Sequence, residues 1–172
     1  MNSKKGYQSQ RRSYGGGRAP QKDSEDLIKF FKDKMASIKN WSEYPVIDFA
    51  PKDGDAYKIA KAFEKESGGS KNKTTQLRKF YDQAIKAKLK LRGSNETEAL
   101  NSAISIIMMI EPRAYMSFSR KNISKAVIDF ISIALDKNKF RTNSKKQFEE
   151  DYNRFLKFFE SVISYNNFLI GD

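Results

Sequence analysis

The chain has 172 residues, with 33 Lys and Arg against 21 Asp and Glu, a formal net charge of +12, and neither His nor Cys. That excludes a Ser-His-Asp triad, an imidazole acid–base group, a thiol nucleophile, a disulfide and a zinc cluster, and it suits a reducing, cytoplasmic compartment. The length fits one domain, no stretch approaches the ~20 apolar residues of a membrane helix, and the polar N-terminus is not expected to be a signal peptide.

The positive charge is concentrated. Residues 1–22 hold six basic and no acidic residues, and residues 71–92 hold eight basic residues and one acidic residue. The remaining segments are close to neutral. Clustered cations are the electrostatic footprint of a polyanion, most commonly RNA or DNA.

Residues 1–22 are rich in Gly, Ser and Gln without apolar periodicity, so they are expected to be a disordered basic tail. Within it Arg11, Arg12, Tyr14 and Arg18 flank a triple glycine, a composition like that of Arg/Gly segments that bind single strands; a passive tail is the alternative. Asp23 or Ser24 is placed to cap a first helix, along which Leu27, Ile28, Phe31, Met35 and Ile38 recur at helical spacing. Ser42 to Asp55 carries Pro45, Pro51 and Gly54, which predicts an ordered connecting loop. Asp55 then opens a short helix through Tyr57, Ile59, Ala60 and Phe63, stopped by Gly68 and Gly69.

Thr74 or Thr75 is expected to cap the next helix, which Gly93 ends. At 100° per residue, Phe80, Tyr81, Ala84, Ile85 and Leu91 gather around Leu77, while Lys79, Lys86 and Lys90 form a stripe ~16 Å long on the opposite side. Arg78 precedes Asp82 by four residues, the spacing of a helical ion pair, and Lys88 falls inside the apolar arc. Asn95 or Thr97 opens a fourth helix that is apolar on more than one side, which predicts a central position. Pro112 is expected to break it, leaving Glu111 to Lys121 as a short helix or turn. Ile123 to Leu135 is amphipathic, and Lys137 to Lys146 reads as a basic loop. Ser144 and Gln147 form a capping box for a last helix whose Phe148, Tyr152, Phe155, Phe159 and Val162 make a seam-like stripe. No strand alternation is present. The fold class is therefore all-α, a bundle of about five to six helices over residues 23–172.

Several motifs imitate sites. Gly68 to Thr75 (GGSKNKTT) suggests a phosphate-binding loop, but Asn72 replaces the required glycine and no strand precedes it. Asp53 to Asp55 suggests a calcium loop, but Tyr57 and Lys58 occupy positions that need an oxygen ligand and a glycine. Glu149 to Asp151 reads as an acidic first turn of the last helix. No constellation supports catalysis, a metal or a cofactor. Tyr7, Tyr14 and Tyr115, the last beside Arg113 and Arg120, are candidates for stacking on bases; most other aromatics occupy core phases.

Thr74 to Gln83 (TTQLRKFYDQ) resembles a signature of the small subunit of the type III-A CRISPR Csm effector complex. Arg113 to Arg120 (RAYMSFSR) resembles that family's Tyr-containing helix ending in Arg, and Phe155 to Phe168 (FLKFFESVISYNNF) its aromatic C-terminal helix. The resemblance spans residues 56–168 in the expected order and leaves residues 23–55 as an N-terminal extension. It implies a helical, non-catalytic protein whose copies stack as a short filament. The partners it implies are guide RNA, target RNA, the backbone subunits and the large polymerase-like subunit.

Carried onto this chain, the resemblance implies Arg78, Lys79, Lys86, Arg120 and Lys121 as contacts to RNA phosphates, with Arg78 and Arg120 inside the matched motifs and Lys86 resting on its helical phase alone. Lys90 and Arg113 join them if helix 74–92 and stretch 113–146 both face nucleic acid. The competing expectations are an Arg78–Asp82 ion pair and a helix-capping role for Arg120. The rival function is a helical protein scaffold that adheres to RNA only through its tail.

Overall fold

The computed structural model describes residues 20–67 and 72–171. In chain order the helices are α1 (Pro20–Ser37), α2 (Val46–Phe49), α3 (Asp55–Glu66), α4 (Thr74–Lys90) and α5 (Glu96–Met108), then α6 (Ile110–Ser119), α7 (Lys125–Ala134) and α8 (Lys145–Ile170). Short 3-10 turns span Trp41–Glu43 and Lys137–Lys139. No strand occurs among the described residues, as the all-α reading requires. Among the described residues seven helices have ten residues or more, one beyond the expected five to six, because α6 is a complete helix.

The 26-residue α8 is the axis, ~39 Å long at 1.5 Å per residue. It packs against α3, α4, α5, α2 and the turn at Trp41, while α1 lies across α3 and α7. The predicted seam on α8 is buried in full, with Phe158 and Ile163 added to it. Phe158 meets the rings of Phe31, Trp41, Tyr44, Phe49 and Phe130 with centroids 5.2–6.2 Å away. Buried polar tips find partners: Trp41 Nε1 donates to Ala134 O at 3.0 Å, and Tyr152 OH to Ala84 O at 2.8 Å.

Several expectations are corrected. Helix α1 begins at Pro20, so Pro20, Gln21 and Lys22 belong to a helix and not to the tail; residues 1–19 of the predicted tail lie outside the described residues. Proline suits a first helical turn, whose N–H groups have no partner within the helix. Ser24 is therefore inside α1, fully buried, donating to Ala62 O and Glu66 Oε1 rather than capping. The segment Ser42–Asp55 is not merely a loop. It carries α2, and with Trp41 it places Tyr44 and Phe49 at zero exposure in the core. Gly54 is the N-cap of α3, and a Cβ there would sit 2.7 Å from Phe49 O, so glycine is required by close approach. Asp55 is the first residue of α3 and accepts from Tyr44 OH at 2.7 Å and Lys58 Nζ at 2.9 Å.

Lys73, not either threonine, is the N-cap residue of α4; Thr74 is buried and accepts from Asn166 Nδ2 at 3.2 Å. Asn95 does cap α5, accepting the Glu98 N–H at 3.1 Å. Helix α5 is peripheral rather than central: Ala99, Ala103 and Ile107 are buried, while Met108 is 40% exposed. The break falls at Met109, three residues before Pro112, because a proline ring collides with the carbonyl four residues earlier and leaves its own N–H absent. Glu149 to Asp151 lies one turn inside α8 and not in its first turn, and Asp151 is fully buried.

Candidate nucleic-acid interface

Helix α4 presents Lys79, Lys86 and Lys90 on its outer face, all three exposed. Its inner face is fixed by Leu77, Phe80, Ala84 and Ala87, so the predicted amphipathic division holds. Lys79 Nζ donates to Gln76 Oε1 at 3.3 Å, and none of the three lysines forms an ion pair with a carboxylate among the described residues.

Arg113 on α6 donates to Gln83 Oε1 on α4. At the other end, Asn72 N–H donates to Asn122 O at 3.2 Å. The two bonds require α4 and α6 to run antiparallel. Arg113 therefore adjoins the middle of the lysine stripe, while Arg120 and Lys121 lie beside the start of α4. Arg113, Met116 and Arg120 share one edge of α6 at helical spacing. The surface assembled in this way holds Lys79, Lys86, Lys90, Arg113, Arg120 and Lys121, from segments separated by more than twenty residues.

Arg78 points elsewhere. It lines a hollow of about 340 Å³ with Tyr81, Asp82, Glu160, Ile163 and Ser164, on the side of α4 that meets α8. No Arg78–Asp82 ion pair is among those formed by the described residues. The hollow is acidic enough that burial together with Glu160 raises the Tyr81 hydroxyl above its ordinary pKa. Arg120 is indeed the C-cap residue of α6: its N–H donates to Met116 O at 3.3 Å, and its side chain is exposed. Lys121 follows in the left-handed region at φ 61°. Tyr115 is 54% exposed on α6, whereas Tyr7 and Tyr14 lie outside the described residues.

The basic stretch Lys137–Lys146 is largely committed to the fold. Arg141 clamps the buried Asp151 with Nε to Oδ2 and Nη2 to Oδ1, each 3.0 Å, and Nη2 also reaches Glu150 at 3.1 Å. The Arg141 and Ser42 N–H groups complete the shell around Asp151 at 2.8 and 3.0 Å. Burial by itself would raise the Asp151 pKa, but the Arg141 and Ser42 hydrogen bonds outweigh it and hold the carboxyl below its usual range. Lys139 donates to Ile38 O at 2.7 Å, and Lys145 to Gly93 O at 3.3 Å.

Two residues that organise this region have no motif in the sequence. Asn72, buried at φ 58°, donates from Nδ2 to Phe63 O and Ser124 Oγ, each 2.9 Å, and accepts the Ser124 N–H at 2.7 Å. Its carbonyl accepts from Asn166 at 3.0 Å. This one residue therefore ties α3, α7 and α8 to the start of α4. The available signal is that asparagine is the non-glycine residue best suited to the left-handed region. Gln83, the bridge to Arg113, carries no such signal.

Among the described residues there is no group of His, Cys, Asp and Glu able to hold a metal ion, and no helix is long and apolar enough to cross a membrane. No curated protein and no solved structure matches the chain significantly. A sequence model for Csm2 Type III-A matches residues 51–171, slightly beyond the segment expected from the motifs. The match takes in α3 to α8, including both cation-bearing helices, and covers more than half of the chain. The chain thus belongs to the Csm2 Type III-A family, the non-catalytic small subunits of type III-A CRISPR effector complexes.

Proposed function

We propose that this chain contacts the backbones of guide and target RNA through the surface formed by α4 and α6, in a cytoplasmic antiviral ribonucleoprotein. The observation that carries the reading is the row of exposed, unpaired lysines on α4, extended by Arg113, Arg120 and Lys121 across an antiparallel helix pair. Such a surface meets phosphates and reads no bases, so guide pairing supplies the sequence specificity. Arg78 stands apart from this surface and is a weaker member of the set, with Asp82 and Glu160 around it.

Copies stack head to tail in this reading, beside the backbone and large subunits. Exposed Met109 at the α5–α6 junction, with Tyr115, Met116 and Phe118 along the C-terminal half of α6, supplies apolar surface for such a neighbour. The same patch favours the rival reading, a scaffold whose partners are proteins alone.

Anisotropy with a single-stranded RNA of ~40 nucleotides, between about 50 and 200 mM salt, separates the two. Reversing Lys79, Lys86 and Lys90 to Glu is expected to weaken binding equally for unrelated sequences and make the salt slope shallower by ~2–3, near 0.7–0.9 per lost contact. An unchanged slope refutes the assigned face. Loss of binding on removing residues 1–19 alone transfers the activity to the tail.

A further inference from the structure

A hollow of about 580 Å³ opens between the C-terminal half of α5 and the segment Lys137–Asn143. Its floor is apolar, built from Ile104, Ile107 and Met108 of α5 with Phe140 and Phe148. Its rim carries Lys137, Asn138, Arg141, Thr142 and Asn143. The hollows between α1 and α7, beside α2, beside Asp136 and beside Arg78 each have an Asp or Glu in the wall. This one has none, and it has two cations. Arg141 is immobilised by Asp151 and Glu150, whereas Lys137 is exposed and pairs with no carboxylate among the described residues.

An apolar floor under a cationic rim suits a ligand with a flat apolar body and an attached negative charge. We infer that this hollow is a subsite for one unstacked RNA nucleotide, with its base over Met108 and the Phe140 edge and its phosphate at Lys137. The Asn143 amide, exposed at the rim, offers a donor and an acceptor to a base edge. Single-stranded segments are bound in this manner generally, by extruded bases in apolar sites with a cation on the phosphate. The inference rests on the RNA-facing reading and adds a base contact to what was there a purely phosphate surface.

The test uses the full chain with ¹³C-labelled methionine methyls, titrated with AMP. A Met108→Leu variant identifies the Met108 signal by its loss. The expected result is an upfield ring-current shift of the Met108 methyl that saturates with a dissociation constant in the millimolar range, while the buried Met35 stays still. Lys137→Glu, an exposed substitution, should weaken AMP at least about fivefold, the loss expected for one phosphate contact. Ribose 5-phosphate, which has no base, should leave Met108 unmoved. An equal shift with ribose 5-phosphate overturns the base site in favour of a simple anion site. No shift up to about 10 mM AMP overturns it outright. A stronger shift with N-acetyl-leucinamide overturns it in favour of a protein side chain. The Lys79, Lys86 and Lys90 reversal must leave the AMP shift intact, so failure of the α4 surface and failure of this subsite give different results.

Discussion

Asn72→Ala is the most demanding single test of the architecture, because one buried side chain joins α3 and the start of α7 to the segment that leads into α4. It removes the hydrogen bonds to Phe63 O and Ser124 Oγ and the one from Ser124 N–H. Three net hydrogen bonds at ~1 kcal/mol each give about 3 kcal/mol, before any penalty for leaving the Ser124 N–H without its acceptor. Holding alanine at the left-handed φ of 58° adds ~1–2 kcal/mol. The expected loss is ~4–5 kcal/mol, a large part of the ~5–15 kcal/mol that holds a domain of this size. Urea unfolding followed by Trp41 emission provides the readout, since it is the single tryptophan and lies fully buried against Phe155 and Phe158. Asn72→Gly loses the same side-chain bonds but tolerates the backbone, and should recover ~1 kcal/mol relative to alanine. Asn122→Ala serves as the control, because Asn122 enters the network through its backbone carbonyl. A loss below ~1 kcal/mol for Asn72→Ala refutes the keystone role. Equal losses for alanine and glycine refute the part assigned to backbone conformation.

Asp151→Ala should destabilise by ~2–3 kcal/mol, measured by the same unfolding assay, because the Ser42 and Arg141 N–H groups lose their buried acceptor while Arg141, part-exposed, keeps Glu150. The Asp151 pKa is lowered by folding, so its contribution is complete above the unfolded value of ~3.9 and lost as pH falls through the folded value. Asp151→Asn should therefore flatten the acid limb of the stability profile below about pH 4 and lower stability at pH 7; an unchanged acid limb contradicts the assignment. Gly54→Ala should cost ~1–3 kcal/mol, because the added Cβ meets backbone atoms of Phe49 and Asp48 that cannot turn aside. Removing residues 1–50 should give a chain without cooperative unfolding, since Phe31, Trp41, Tyr44 and Phe49 leave the core, whereas removing 1–19 should leave the helical domain folded, as judged by far-ultraviolet circular dichroism.

Periodicity made the long helices legible because their apolar faces are continuous and local. The α8 stripe is buried as its spacing required, and of the α4 face Leu77, Phe80, Ala84 and Leu91 are buried while Tyr81 and Ile85 are only partly so. Reading failed where a local rule competed with distant packing. Trp41, Tyr44 and Phe49 sit among prolines and a glycine, so their sequence reads as a connector, yet their rings fill the space around Phe158. Helix α5 reads as central because Leu100, Ala103, Ile104, Ile107 and Met108 cover more than one side, but only Ala103 and Ile107 of these are buried, while Leu100 and Ile104 are partly covered and Met108 is exposed. The family match begins at residue 51, whereas the aromatic core begins at Phe31. Residues 20–50 are thus structural parts of this domain, even though the motifs shared with the family leave them aside.

The site divides along the same line. Segment charge found α4 because a single acid, Asp82, lies among its eight neighbouring cations, so little local carboxylate exists to neutralise them. In the stretch from Lys137 to Lys146 the same arithmetic misleads, since the balancing groups arrive from other elements. Asp151 and Glu150 of α8 hold Arg141, a carbonyl of the segment after α1 holds Lys139, and the Gly93 carbonyl holds Lys145. A cation engaged in such bonds loses them if it turns to a phosphate, whereas Lys79, Lys86 and Lys90 lose at most one amide contact. In the proposed reading this energetic asymmetry, rather than charge density, favours the α4 stripe as the phosphate face. It also explains why Lys137, at the unpaired end of the other stretch, is the cation there that remains available to a ligand.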